Sequence, residues 1–130
     1  MKVFINSTVT ELINNELYDY YLFDFKNPLI ISDYIKSDKL YTYLIININN
    51  PIYKYYIHLF TINNNNIILN YQKPIILKYS GINIYYILIY EQKFFINSKI
   101  NKRINFNLDC FIYRYNLLLV DKFIFKVIHK

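Results

Sequence analysis

The sequence predicts an α+β fold, with a short helical N-terminal lobe followed by a β-rich antiparallel C-terminal body. Three observations predict it. Apolar residues recur at three- and four-residue spacing over residues 8–22. From residue 41 the chain turns to β-branched and aromatic runs parted by Asn, Pro or Gly. The charge divides at the same place. Residues 1–40 carry four Lys against six acids, a net of −2, while residues 41–130 carry nine Lys and two Arg against three acids, a net of +8. The expected division is therefore a helical lobe over 1–40 and a β-rich body over 41–130.

In "TVTELINNELYDYYL" (8–22), Val9, Leu12, Ile13, Leu17, Tyr20 and Tyr21 make one apolar stripe, and Thr8 with Glu11 has the spacing of a capping box. Asn27 before Pro28 reads as a second helix start, which makes "PLIISDYIK" a short helix. Strands are expected at "YTYLIINI" (41–48), "YKYYIHLF" (53–60), "NIILN" (66–70), "INIYYILIY" (82–90) and "LDCFIYRY" (108–115). "INNNNI" (62–67) reads as a turn, because Asn tolerates left-handed backbone angles. The tail "NLLLVDKFIFKVIHK" fits either a strand or a short helix, and no internal repeat is visible.

Composition speaks to origin as much as to physics. The chain holds 25 Ile, 18 Asn, 16 Tyr and 13 Lys among 130 residues, a single Gly, and neither Ala nor Trp. All four abundant residues have A/T-rich codons, which points to a very A+T-rich genome such as that of a reduced plastid or mitochondrion, an endosymbiont or certain protists. With 55% hydrophobic residues the chain can build a core, so wholesale disorder is excluded. One Cys excludes an internal disulfide and fits a reducing compartment. The acidic first thirty residues do not resemble a secretory signal. The longest uncharged run, 55–72, is broken by four consecutive Asn, which disfavours a membrane span.

The search for reactive groups predicts no enzyme, no metal and no cofactor. His58 and His129 lie far apart, and no second Cys exists to complete a zinc site. His58 reads as a half-buried strand residue, and Cys110 as a small core residue in mid-strand. Gly81 alone cannot form a phosphate-binding glycine loop. What remains is an acid-free basic stretch, 93–103, between two predicted strands. Such a region, beside a body of net +8, points to an anionic partner. Lys93, Lys99, Lys102, Arg103 and Arg114 are the candidate phosphate contacts, Asn97, Ser98 and Asn101 the candidates for sugar or base edges, and Tyr90 the candidate for base stacking.

Read by residue class, "LIISDYI" (29–35), "KLYTYLIINI" (39–48), "KPIILKYSGINIYYIL" (73–88) and "NLDCFIY" (107–113) follow the order of segments in the bacterial-type small-subunit ribosomal protein eight family, with Cys110 on the family's cysteine. "SDKLYTYLI" (37–45) and "NPIYKYYI" (50–57) are similar to small-subunit ribosomal protein seventeen, a five-stranded barrel. Both resemblances imply a structural constituent of the small ribosomal subunit. It would bind small-subunit ribosomal RNA through residues 41–130 and sit beside neighbouring ribosomal proteins, with no small-molecule substrate. The organelle expected is a plastid or apicoplast ahead of a mitochondrion. The alternative is a subunit of an organelle membrane complex. Residues 114–130 extend past the family's pattern and receive no role from it.

Overall fold

Ile, Tyr and Phe lose little by adopting an extended, pleated backbone and gain packing there. Strands accordingly dominate the computed structural model, which describes residues 1–6, 8–50, 52–53, 55–98 and 100–130. In chain order they are β1 (Lys2–Ile5), β2 (Thr10–Leu12), β3 (Leu17–Asp19), β4 (Leu29–Ile31), β5 (Leu40–Asn47), β6 (Tyr56–Ile62), β7 (Asn66–Leu69), β8 (Ile82–Gln92) and β9 (Leu118–Ile128). A 3-10 turn covers Tyr20–Leu22, and one α-helix, α1 (Leu108–Tyr115), precedes β9. A small antiparallel sheet has the order β2-β1-β4, and a large sheet the order β3-β9-β8-β5-β6-β7. Within the large sheet only β3 runs parallel to its neighbour, β9.

The large sheet is covered on both faces. One face turns Ile45, Leu59, Tyr85, Ile87, Phe123, Phe125 and Val127 toward the small sheet, where Val3, Ile5 and Leu12 complete a first core. The other face turns Leu44, Ile46, Ile57, Phe60, Leu88 and Tyr90 toward the 93–107 segment and α1, which supply Ile96, Phe106 and Phe111. This double covering explains why β5 and β8 read as nearly unbroken apolar runs rather than alternating ones.

The expected helical lobe is corrected: the fold is mostly β, and residues 1–40 supply strands. Thr8 has φ +70° and Asn15 has φ +70°, backbone that no α-helix contains, so the capping box and the 8–22 helix cannot form. Of the predicted stripe only Leu12 is buried, while Val9, Ile13, Leu17 and Tyr21 face solvent. The predicted helix after Pro28 is β4 followed by turns, its residues 29–31 paired with β1.

The opposite error occurs at 108–115, which is helix rather than strand. Asn107 caps it, its side chain accepting the Cys110 N–H at 3.0 Å. Asp109 favours the positive end of the helix, and Asn116, in the left-handed conformation, ends it. Leu108, Phe111, Ile112 and Tyr115 then share one face on the second core. Cys110 lies on the exposed side, contrary to its expected place in the core.

Asn performs the work glycine does elsewhere. Asn6, Asn15, Asn63, Asn64, Asn105 and Asn116 all have positive φ, a region Asn enters more readily than other non-glycine residues. The lone Gly81, at φ +91°, turns the chain into β8.

A buried amide network joins the second core to the segment above it. Gln92 Oε1 accepts from the Thr42 hydroxyl at 2.8 Å and from the Asn63 N–H at 2.9 Å. Gln92 Nε2 donates to Asn63 Oδ1 at 2.8 Å, and Asn63 in turn holds both backbone groups of Ile96.

Candidate functional site

The residues expected to meet an anion lie around the second core, and the structure divides them. Tyr90 is buried, and its hydroxyl is pushed up to about 12 mainly by that burial, with Asp109 adding to it. A ring in that position has no face free for stacking. Arg103 donates to the carbonyls of Ile57 at 3.0 Å and Asn70 at 2.6 Å, so its guanidinium staples the 93–107 segment to β6 and to the residue after β7. Arg103→Gln should therefore cost stability, roughly 1–3 kcal/mol in urea unfolding, since two carbonyls lose a charged donor. An unchanged midpoint would show the staple to be idle. Lys93 is exposed beside the end of β8. Lys99 lies outside the described residues. Asn97, Ser98, Asn101, Lys102 and Arg114 line one cavity of about 680 Å³ between the segment and α1.

A second cluster escaped the sequence reading. It lies on the first-core face, where β5 ends and β8 begins. Asn47 stands directly across from Tyr85, with Asn83 two residues earlier on the same side of β8. The Asn47 Nδ2 donates to Asn83 Oδ1 at 3.2 Å. His58 enters from β6 through a β-bulge. Ile46 pairs with Ile57 and Ile45 pairs with Leu59, so His58 is the extra residue without a partner on β5. Such a bulge turns an additional side chain onto one face. Here it brings the imidazole edge-on to the Tyr85 ring, 5.0 Å between centroids.

Loops lock this cluster in place. The Asn49 side chain imitates a strand, with Nδ2 donating to the Ile82 carbonyl at 2.9 Å and Oδ1 accepting the Ile84 N–H at 2.8 Å. Gln72 exchanges two hydrogen bonds with His58. Its N–H donates to the His58 carbonyl at 2.8 Å, and its carbonyl accepts from His58 Nδ1 at 2.6 Å. The Tyr56 hydroxyl donates to Gln72 Oε1 at 2.7 Å.

Protonation states follow from these surroundings. Because a carbonyl can only accept, His58 Nδ1 carries the proton and Nε2 presents a lone pair. Burial holds the ring's pKa down to about 4, against a raising hydrogen bond to Gln72, and Arg103 lowers it further. The imidazole is therefore neutral at pH 7. Among the described residues no protein donor meets Nε2. Burial also raises the Tyr85 and Tyr71 hydroxyls above the ordinary phenol range, so both keep their protons as donors. Asn47, His58, Asn83 and Tyr85 are each less than a tenth exposed.

The cluster thus holds amide and hydroxyl donors and one bare imidazole acceptor. None of its four side chains is charged. The one signal in the sequence was a polar residue inside each of three apolar runs, "LIININN", "YYIHLF" and "INIYYIL". In a chain with 18 Asn, two of the three were indistinguishable from drift.

No known family profile matches the chain, and no curated protein matches it. Solved structures do. A chain of the crystal structure of carboxypeptidase Y inhibitor complexed with the cognate proteinase matches with a TM-score of 0.79 at 17% identity, covering 99% of this chain and 82% of that one. Phosphatidylethanolamine-binding protein from Plasmodium vivax matches with a TM-score of 0.76 at 16% identity, covering 99% of this chain and 84% of that one. These findings overturn the resemblances to ribosomal proteins eight and seventeen. With them go the small-subunit role and ribosomal RNA and ribosomal proteins as partners. The physical reasons are local. "LDCFIYRY" is a helix rather than the family's strand, and 37–57 feeds the middle of an open six-stranded sheet rather than a barrel. Among the described residues no helix is long and apolar enough to cross a membrane. The chain has the fold of phosphatidylethanolamine-binding proteins.

Proposed function

We propose that the chain is a binding protein that takes a zwitterionic, phosphate-bearing headgroup at Asn47, His58, Asn83 and Tyr85 and does no chemistry on it. The two solved neighbours carry different functions in their names, so the fold does not choose between them and the site must. The observation that supports the reading is the pairing of neutral donors with one bare acceptor. Phosphate oxygens would accept from Asn83 Nδ2 and the Tyr85 hydroxyl, and an ammonium would donate to His58 Nε2. A site without a buried charge favours a ligand whose own charges cancel, because an isolated ion would lose its hydration without compensation. His58 has neither a nucleophile nor a carboxylate within this cluster, which supports binding over catalysis.

Titration of the purified chain with glycerophosphoethanolamine and glycerophosphocholine tests this. The quaternary ammonium of the second has no N–H for His58. The first is expected to bind about tenfold more tightly, the worth of one such hydrogen bond. Asn83→Leu and Tyr85→Phe should each weaken it by a similar factor. Equal binding of the two compounds, or none, would remove the proposal.

A further inference from the structure

The cavity between the 93–107 segment and α1 is separated from the headgroup site by the large sheet, since its floor belongs to the second core and Tyr85 to the first. Its origin lies in how the segment is pinned. Asn63 holds Ile96 at one end, and Arg103, the Tyr56–Ile104 bridge and buried Phe106 hold the other. Between the segment and α1 lies the cavity, lined from the segment by Asn97, Ser98 and Lys102 and from α1 by Cys110, Phe111 and Arg114. The resulting 680 Å³ falls within the roughly 300–1,000 Å³ of small-molecule sites.

Its chemistry is one-sided. Phe106, Phe111 and Tyr115 supply an aromatic wall, and Lys102 and Arg114 supply two cations. No Asp or Glu lines it, and among the described residues neither cation has a carboxylate within 4 Å. Arg114 stacks near the Tyr115 ring, 5.5 Å from its centroid, which orients the guanidinium beside the apolar wall. Asp109 faces the adjoining surface with Arg114 but does not line the cavity. Asn97 and Asn101 add amide donors at the rim.

We infer that this cavity is a second binding site, for a small organic anion: an aromatic or otherwise apolar body carrying one phosphate or carboxylate. Lys102 and Arg114 hold the anionic group, with the guanidinium suited to two parallel hydrogen bonds. The aromatic wall takes the body. This site is independent of the headgroup reading, and neither depends on the other.

Cys110, the sequence's one cysteine, is exposed and lines the cavity, so it reports occupancy without any mutation. The experiment is the rate of Cys110 alkylation by iodoacetamide in the full chain, with 1-naphthyl phosphate, 1-naphthoate or neutral 1-naphthol present at millimolar concentration. Both anions are expected to slow alkylation about tenfold at saturation, and naphthol much less. The Lys102→Gln/Arg114→Gln double variant should raise the half-saturating concentration at least about tenfold, since each charged hydrogen bond is worth that much or more. Both positions are exposed, and the variant's fold is checked by its unchanged response to glycerophosphoethanolamine or, should that ligand not bind, by its unchanged melting temperature. A difference between phosphate and carboxylate would identify which head the site prefers, within the same assignment. Protection by naphthol equal to that by the anions would overturn it, as would no protection by any of the three or full protection in the double variant.

Discussion

Gln92→Leu should lower the unfolding free energy by about 3–5 kcal/mol, read as a fall in the urea midpoint at unchanged slope. The side chain it replaces is the hub of the buried amide network. Its loss strands the Thr42 hydroxyl, the Asn63 N–H, the Phe94 carbonyl and one lone pair of Asn63 Oδ1, while Leu offers nothing polar in return. A buried donor or acceptor left unpaired costs about 1–3 kcal/mol, and part of that is recovered by relaxation, which sets the range. Asn63→Ala removes the same network from the other side and releases Ile96. The double variant should therefore fall short of the sum of the single changes by about 1–2 kcal/mol. A loss below 1 kcal/mol in Gln92→Leu, or strict additivity, would show that the two side chains do not act as a unit.

Acid should weaken the protein through His58 by about 3 kcal/mol. In the unfolded chain the imidazole titrates near 6.5, and in the folded state near 4. Between those values the unfolded state binds the additional proton, so stability rises with pH across this window. The contribution is complete above pH 6.5, is lost progressively as pH falls toward 4, and does not change further below that. His58→Gln should flatten this part of the profile. Comparing urea midpoints of the parent and variant at pH 7.5, 5.5 and 4.5 measures it. Parallel profiles would mean that the folded ring is protonated as easily as the unfolded one.

Much of the large sheet was legible because its elements are long and their neighbours punctuate them. "YTYLIINI" and "INIYYILIY" carry a dense β-branched and aromatic signal, and "INNNNI" turns between β6 and β7 as expected. The first forty residues misled because apolar residues at three- and four-residue spacing also arise by chance in short strands joined by tight turns. Thr8 and Asn15 adopt left-handed backbone angles that letters alone do not show, and the Thr, Val, Ile and Asn of this stretch have little helical preference to set against them. At 108–115 the opposite signal was present and was overridden. Leu108, Phe111, Ile112 and Tyr115 keep helical spacing between Asn107 and Asn116, both suited to caps. Among the described residues, Asn97, Ser98, Asn101, Lys102 and Arg114 of the nine candidate contacts line one cavity. Arg103 was misread because a lone guanidinium in a sequence gives no hint that two backbone carbonyls consume it. The cluster of Asn47, His58, Asn83 and Tyr85 needs a bulge to assemble, and a register shift at His58 is a tertiary fact.

The position of β9 has a kinetic consequence. It sits between β8 and β3, so the large sheet cannot close until residues near 17 meet residues near 127. The Ile124 N–H reaches Asn14 across a separation of 110 residues. Closing a loop of that length costs entropy before any contact repays it, and chains dominated by such distant pairings fold in roughly milliseconds to seconds rather than microseconds. Throughout that interval the edge of β9 that β3 will cover lies open, a template for any other chain that is also waiting. Recovery after dilution from denaturant is thus a race between an intramolecular closure of fixed rate and an encounter whose rate grows with concentration.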